Sequence, residues 1–153
     1  MSNATKRRCG QCGERVVVKL ARPGRTAAYR SLELAVPASL EIPTCENCGA
    51  EWIDLQTARA LDEALEPVYQ EIQRARLDRA LDKILSVEDN QTRIERALAI
   101  SPGYLSKLKH GKRAPSGEIV SLLTLVSDDP EHALERLETL SKRDAGGRKR
   151  TAS

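Results

Sequence analysis

The chain has 153 residues, room for one domain or two small ones and too few for a large α/β enzyme. It has no Phe, one Trp and three Tyr, which argues against one large core and for helices packed on Leu, Ile and Ala; no run approaches the roughly 18 apolar residues of a membrane span. The net charge of +3 hides basic blocks at residues 90–127 and 141–153 (+4 each) set against acidic blocks at 53–89 and 128–140 (−4 each), a pattern that points to a polyanionic partner.

In chain order, Met1 to Arg8 has no apolar core of the kind a signal peptide needs, so a cytoplasmic location is expected. All four cysteines then fall before residue 50, as Cys9-Gly10-Gln11-Cys12 and Cys45-Glu46-Asn47-Cys48, each followed by glycine. Two such turns facing each other supply four thiolates at tetrahedral corners, the arrangement of a zinc ribbon. A redox C-x-x-C would need a βαβ context, which is missing, and two disulfides would need an oxidising compartment that nothing indicates. Four Cys ligands leave no open coordination position, so one structural zinc per chain is expected, not a catalytic one. Between the pairs, Val16 to Leu20 reads as a strand and Arg22-Pro23-Gly24-Arg25 as a turn. Tyr29, Leu32, Leu34 and Val36 read as a second strand, and Leu40 and Ile42 as a third. A unit of this size with so few apolar residues is marginal without a staple, and bound zinc, worth on the order of 10 kcal/mol, supplies one.

A helix should begin at Asp54, a good N-cap. Its apolar stripe is Ala58, Leu61, Leu65, Val68, Ile72 and Ala75, and Pro67 should kink it or divide it into two abutting helices. The stripe either packs within its own protein or links domains and adds to a dimer. Leu77, Leu81, Ile84 and Leu85 form an offset stripe, read as the first helix of a new domain. Asn90 or Asp89 caps a short helix carrying Ile94, Ala97 and Leu98. After a turn at Ile100-Ser101-Pro102, with Ser101 as N-cap and Pro102 at the first helical position, the next helix runs from Gly103 to His110 and stops at Gly111. Ile119 to Val126 is a fourth helix. A fifth restarts at Asp129-Pro130 and buries Ala133, Leu134, Leu137 and Leu140, and the residues from Asp144 onward read as a disordered basic tail.

Two short helices joined by a tight turn in a five-helix unit are a helix-turn-helix, whose second helix enters the major groove of DNA. That helix carries Tyr104, Ser106, Lys107 and Lys109 outside, with Leu105 and Leu108 facing the core. Lys107 is placed to reach guanine O6 and N7, while Gln91, Lys112 and Arg113 flank the pair where phosphates run. Ser101 and Gly103 open the helix. His110 contacts phosphate or caps the helix C-terminus. Neither His110 nor His132 has a Cys or Ser constellation beside it. Without a phosphate loop or a paired-carboxylate site either, no enzyme is expected.

The run from Gln91 to Ser116 resembles the Xre/Cro family of helix-turn-helix domains, through Gln91, Leu105-Ser106 and the Gly111-Lys-Arg-Ala-Pro-Ser116 ending. Glu95 and Ala99 stand where that family usually has a small Ala and a turn Gly. The whole chain resembles the MqsA family of antitoxins in the order zinc ribbon, linking helix, Xre-type domain. The resemblance implies a homodimer that binds a palindromic operator, represses its own operon and docks a toxin through the ribbon. The family's two base-reading positions fall on Gly103 and Lys107, of which only Lys107 has a side chain that can read a base. The expected layout is α+β: a zinc ribbon over 1–53, a linking helix over 54–76, a five-helix helix-turn-helix domain over 77–143 and a tail over 144–153. The alternative is a protein-interaction module in which the ribbon docks a partner and DNA binding is secondary.

Overall fold

The structure, a computed structural model, describes residues 7–14 and 16–147. Small β-hairpins around the four cysteines are followed by five helices, an α+β layout. The chain divides into two compact units, Met1–Tyr69 and Gln70–Ser153.

In the first unit, β1 (Val17–Ala21) pairs antiparallel with β4 (Glu41–Cys45), Val17 opposite Cys45 and Ala21 opposite Glu41. β2 (Thr26–Tyr29) and β3 (Leu32–Ala35) form a separate hairpin with Tyr29 opposite Leu32. The single second strand expected through Tyr29, Leu32, Leu34 and Val36 is therefore two arms that reverse at Arg30-Ser31. Such a two-residue turn needs left-handed backbone, and Arg30 adopts it at φ 53°. Its guanidinium compensates, lying 4.8 Å from the Tyr69 ring centroid and 2.9 Å from the Glu66 carboxylate, which also accepts the Tyr29 hydroxyl at 2.6 Å. Arg25, expected only as a turn residue, is buried. Its guanidinium donates to Glu51 Oε1 (2.9 Å), the Leu20 carbonyl (2.8 Å) and Thr44 Oγ1 (3.1 Å), which is the pairing a buried charge requires.

Helix α1 (Leu55–Val87) starts where the sequence indicates, with Asp54 Oδ1 accepting the Thr57 amide at 2.8 Å. It then runs for 33 residues straight through Pro67, so neither the expected division at Pro67 nor a new helix at residue 77 is found. Pro67 is exposed, so the Glu63 carbonyl that loses its partner can turn to water, while buried Leu65 and Tyr69 anchor the turns on either side. The buried row is also shifted from the expected stripe. It follows Thr57, Leu61, Leu65, Tyr69, Gln73, Leu77 and Leu81, leaving Val68 and Ala75 exposed. At 3.6 residues per turn each step of four advances the row by about 40°, so the buried row winds round the helix, whereas the expected stripe, alternating three and four, keeps closer to one face.

The second unit holds the last turns of α1 with α2 (Gln91–Ala97), α3 (Tyr104–Lys109), α4 (Gly117–Asp128) and α5 (Pro130–Gly147). Leu77, Ile84, Ile94, Leu108, Leu123 and Leu134 lie at the centre of its core, each with 1% exposure or less. Local chemistry sets most helix ends. Asn90 Oδ1 accepts the Arg93 amide at 3.1 Å and Ser116 Oγ the Ile119 amide at 3.4 Å. On α5, Leu134 is buried and Ala133 and Leu137 half-buried, but Leu140 is 55% exposed, against expectation. The helices packed on α5 are α2 and α4, of 7 and 12 residues; α5 has 18, and its last turns overhang them. The helix covers 144–147, where a disordered tail was expected; the rest of that tail, 148–153, lies outside the described residues.

Three carboxylates tie this unit together. Arg93 pairs with Glu138 at 2.8 Å and with Glu88. Glu138 is held below the usual carboxylate range chiefly by that guanidinium, Glu88 first by the Asn90 amide and then by Arg93. Burial would raise Glu95, but hydrogen bonds from the Gly103, Leu105 and Tyr104 amides and from Gln91 outweigh it and leave it lowered as well. A lowered carboxylate contributes stability that is complete above its unfolded value, about 4.3, and is lost as pH falls through its folded value. The thermal midpoint of the helical unit is therefore expected to fall steeply below about pH 4 and, from about pH 5 upward, to slip only slightly as exposed His132, raised chiefly by its hydrogen bond to Asp129, loses its proton. Glu138→Gln should lower the neutral-pH midpoint and flatten that slope; an unchanged slope would show that the Arg93 pair is not linked to folding.

Candidate metal centre and candidate nucleic-acid interface

Each cysteine pair sits in a short hairpin closed by one bridge: Arg7 with Val17 around the first pair, Thr44 with Glu51 around the second. Within each turn the chain repeats the same hydrogen bonds. Gly13 N donates to the Cys9 carbonyl and Gly49 N to the Cys45 carbonyl, both at 2.9 Å. Backbone amides also point at the sulfurs: Gln11 N and Cys12 N each lie 3.3 Å from Cys9 Sγ, and Cys48 N lies 3.5 Å from Cys45 Sγ. The β1–β4 ladder then places the two turns face to face through Val17 and Cys45.

The four sulfurs lie within 4.8 Å of one another, with Cys9 to Cys48 at 3.7 Å and Cys12 to Cys45 at 3.6 Å. An ion about 2.3 Å from each sulfur needs them about 3.8 Å apart, so the cluster is the right size for one tetrahedral metal ion, and an all-thiolate donor set suits zinc. Thiol ionisation is split accordingly. Cys12 falls to about 6, chiefly through the Glu14 amide and then the Asn47 side chain. The thiolate of Cys48 is favoured by the Ala50 amide, but partial desolvation of the sulfur and the three neighbouring cysteines outweigh it and push the thiol up to about 12. Four thiolates cannot share this space near neutral pH unless a dication neutralises them. Cys9 and Cys45 are buried; Cys48 is exposed. Around them Val17 packs with half-buried Val16, Ala50 and Trp52.

The other sequence-selected residues gather on α3 and its flanks. Leu105 and Leu108 are buried, as expected, while Lys107, Lys109, His110, Lys112 and Arg113 are exposed. Tyr104 is half-buried, with the Arg113 guanidinium 4.9 Å from its ring centroid. Half-buried Ser106 has its carbonyl 2.7 Å from His110 Nδ1. The helix ends at Gly111, whose φ of 67° is the left-handed geometry glycine adopts without penalty. Gly111 N bonds the Leu108 carbonyl and Lys112 N the Lys107 carbonyl, the six-to-one closure expected at such a stop. Gln91 is already engaged, its side-chain amide 3.1 Å from Glu95 Oε1.

The start of α3 departs from expectation. Ser101 is exposed and is not the N-cap; its carbonyl, not its hydroxyl, accepts the Tyr104 amide at 3.0 Å. The N-cap is Gly103 at φ 76°, with no side chain to accept a bond. The carboxylate of Glu95, reaching from α2, replaces that side chain. Oε2 accepts Gly103 N and Oε1 accepts Leu105 N, both at 2.9 Å. Ala99, in the turn, takes φ 54°, strain that a glycine there would not carry. The buried carboxylate went unrecognised as a cap. The signal available for it was the Gln91–Glu95 pair, four residues apart. Arg74, whose contacts with α3 are described below, has no such signal.

No helix among the described residues is long and apolar enough to cross a membrane. Comparison of the chain with models of known protein families, with curated proteins and with solved structures finds no match.

Proposed function

We propose that the chain is a sequence-specific DNA-binding transcriptional regulator, and not an enzyme, in which a structural zinc ion holds the cysteine-bearing unit. The observation that carries this reading is the division of α3. Its apolar side, Leu105 and Leu108, is committed to the core, and its other side and following loop present four exposed cations: Lys107, Lys109, Lys112 and Arg113. A short helix standing after a tight turn with such a face is the form of a helix-turn-helix recognition helix. Twofold pairing of the chain on an inverted repeat belongs to this reading, as does the Xre-type assignment of residues 77–143. The antitoxin role, with autorepression of an operon and a toxin docked on the ribbon, rests on the resemblance of motif order alone.

Lys107 and Lys112 separate base reading from backbone contact. Lys107 projects from the middle of α3, and its replacement by Ala is expected to cost about 1–3 kcal/mol on DNA selected from a random pool and to relax preference at one base pair per half-site. Lys112 follows Gly111, and Lys112→Ala should weaken all sequences alike and lower the salt slope by about one unit per contact. Titrations of both variants against selected and scrambled DNA at several salt concentrations decide this. Equal weakening of both DNAs by Lys107→Ala would make Lys107 a phosphate contact and rotate α3 in the groove. Wild-type protein with no preference for any selected sequence would remove the function proposed here.

A further inference from the structure

Helix α3 has six residues, too short to hold its own conformation or direction, yet reading base edges requires a fixed pose. The structure assigns that task to two side chains of opposite charge, Glu95 and Arg74, which grip α3 at its two ends without lying on its outer face; this inference rests on the DNA-binding reading of α3.

At the N-terminus, the Glu95 carboxylate from α2 takes the Gly103 and Leu105 amides, one on each oxygen at 2.9 Å, and the Gln91 side chain adds a third donor at 3.1 Å. At the C-terminus, the Arg74 guanidinium from α1 donates to the Leu108 carbonyl and, at 2.8 Å, to the Lys109 carbonyl. Asp78, one turn further along α1, holds Arg74 in place with contacts of 2.9 and 3.1 Å. Both ends match the helix dipole, the anion at the positive end and the cation at the negative end. They also match the backbone groups that a helix end leaves over: the amides of Gly103 and Leu105 at one end, and at the other the carbonyls of Lys109 and of Leu108, which accepts the Gly111 amide as well. The grip is directional. Two bonds from one planar group fix the angle of a helix end as well as its position, and here each end has such a group. Glu95 stays buried below α3 and Arg74 is about one-third exposed, so the cationic outer face is left clear. Glu95 and Arg74 are positioning residues: they set where Lys107 points and do not themselves touch a base.

The test compares Glu95→Gln, Arg74→Met and Arg74→Lys in the full chain, all measured well below their thermal midpoints. A Gln at 95 presents an NH2 to one of the two amides and breaks one bond of the pair. Both Glu95→Gln and Arg74→Met are expected to lose about ten- to a hundredfold in affinity for selected DNA, the equivalent of one or two misplaced base contacts, with binding to scrambled DNA unchanged. Arg74→Lys, which keeps the charge and one bond, should recover part of the loss. Amide hydrogen exchange gives a second readout free of DNA: residues 103–109 should exchange faster in both variants while α4 does not. Selected-DNA affinity and exchange at 103–109 both equal to wild type in folded variants would overturn the grip. If wild-type protein prefers no DNA sequence, the DNA-binding reading fails, and exchange at 103–109 still decides the grip. Should Glu95→Gln fail to fold, Asp78→Asn, which leaves Arg74 in place but unheld, takes over its role: normal exchange at 103–109 in that variant overturns the Arg74 half.

Discussion

Chelating the metal, or replacing Cys9 or Cys45 by Ser, is expected to unfold the cysteine-bearing unit and to leave the helical unit folded. Around the cysteines there is little else to hold the chain: Cys9, Val17 and Cys45 form one small buried cluster and the two-stranded ladders are short, while Leu34, Val36, Ile42, Leu65 and Tyr69 are buried elsewhere in the same unit. Two-stranded pairs are marginal in water, so a metal worth on the order of 10 kcal/mol is the dominant stabilising contribution. Its loss also leaves four crowded thiols with no dication among them. The core of the helical unit contains no residue of the cluster. Trp52, the single tryptophan, packs against the cysteine cluster, so its emission should shift red on chelation. Far-UV helical signal should drop by no more than the share of α1 within the first unit. Concerted loss of all helical signal with the Trp52 shift would overturn the independence of the two units. A protein that keeps its Trp52 emission after complete chelation would show that the cluster needs no metal.

What was legible in the sequence is what local chemistry determines. A C-x-x-C turn followed by glycine dictates its own hydrogen bonds, and two of them in one small unit converge whatever lies between. Asp54, Asn90 and Ser116 cap the helices that follow them because the donors are three residues away. Gly111 stops α3 for the same reason. The failures share the opposite cause. The β2–β3 reversal uses Arg30, held in left-handed backbone by two tyrosines and a glutamate, Tyr69 and Glu66 lying far along the chain. The N-cap of α3 was sought in Ser101, beside it in sequence, but Glu95 on another helix fills that role. Leu140 has the right spacing and no helix opposite it. Pro67 breaks one hydrogen bond of α1, while packing on both sides of it holds the helix together.

The candidate site divides along the same line. The four cysteines and the exposed lysines could be chosen from residue type and spacing alone. Arg74 and Glu95 could not, because the backbone groups they hold lie 8 to 35 residues away, and Asp78 matters only through Arg74, four residues before it. The presence of a carboxylate at position 95 and of left-handed backbone at Ala99 then has a physical account. A small residue at position 95 could not reach α3, and with Gly103 at the N-cap the amides of α3 would be left to water. Ala99 accepts left-handed geometry in the turn that brings those amides to the carboxylate.

Leu108→Ala is expected to be the most damaging single substitution on α3, and it should act on the helical unit alone. Leu108 is fully buried among Leu77, Ile84, Ile94 and Leu123, and its carbonyl is one of the two held by Arg74. Removing its side chain leaves a cavity that rigid neighbouring helices cannot close, at a cost of about 2–5 kcal/mol against a total stability of roughly 5–15 kcal/mol. The thermal midpoint of the helical unit should drop by about 10 °C or more. Lys107, one residue earlier and exposed, should change stability by less than about 0.5 kcal/mol when replaced by Ala, so the contrast between neighbours isolates burial from charge. In protein loaded with cobalt as a visible substitute for zinc, the thiolate-to-metal absorption and the Trp52 emission of Leu108→Ala should match wild type at temperatures where its helices have already melted. If the metal absorption and the helical signal were lost together in this variant, the two units would be one cooperative structure, and the chelation result would have to be read in the same way.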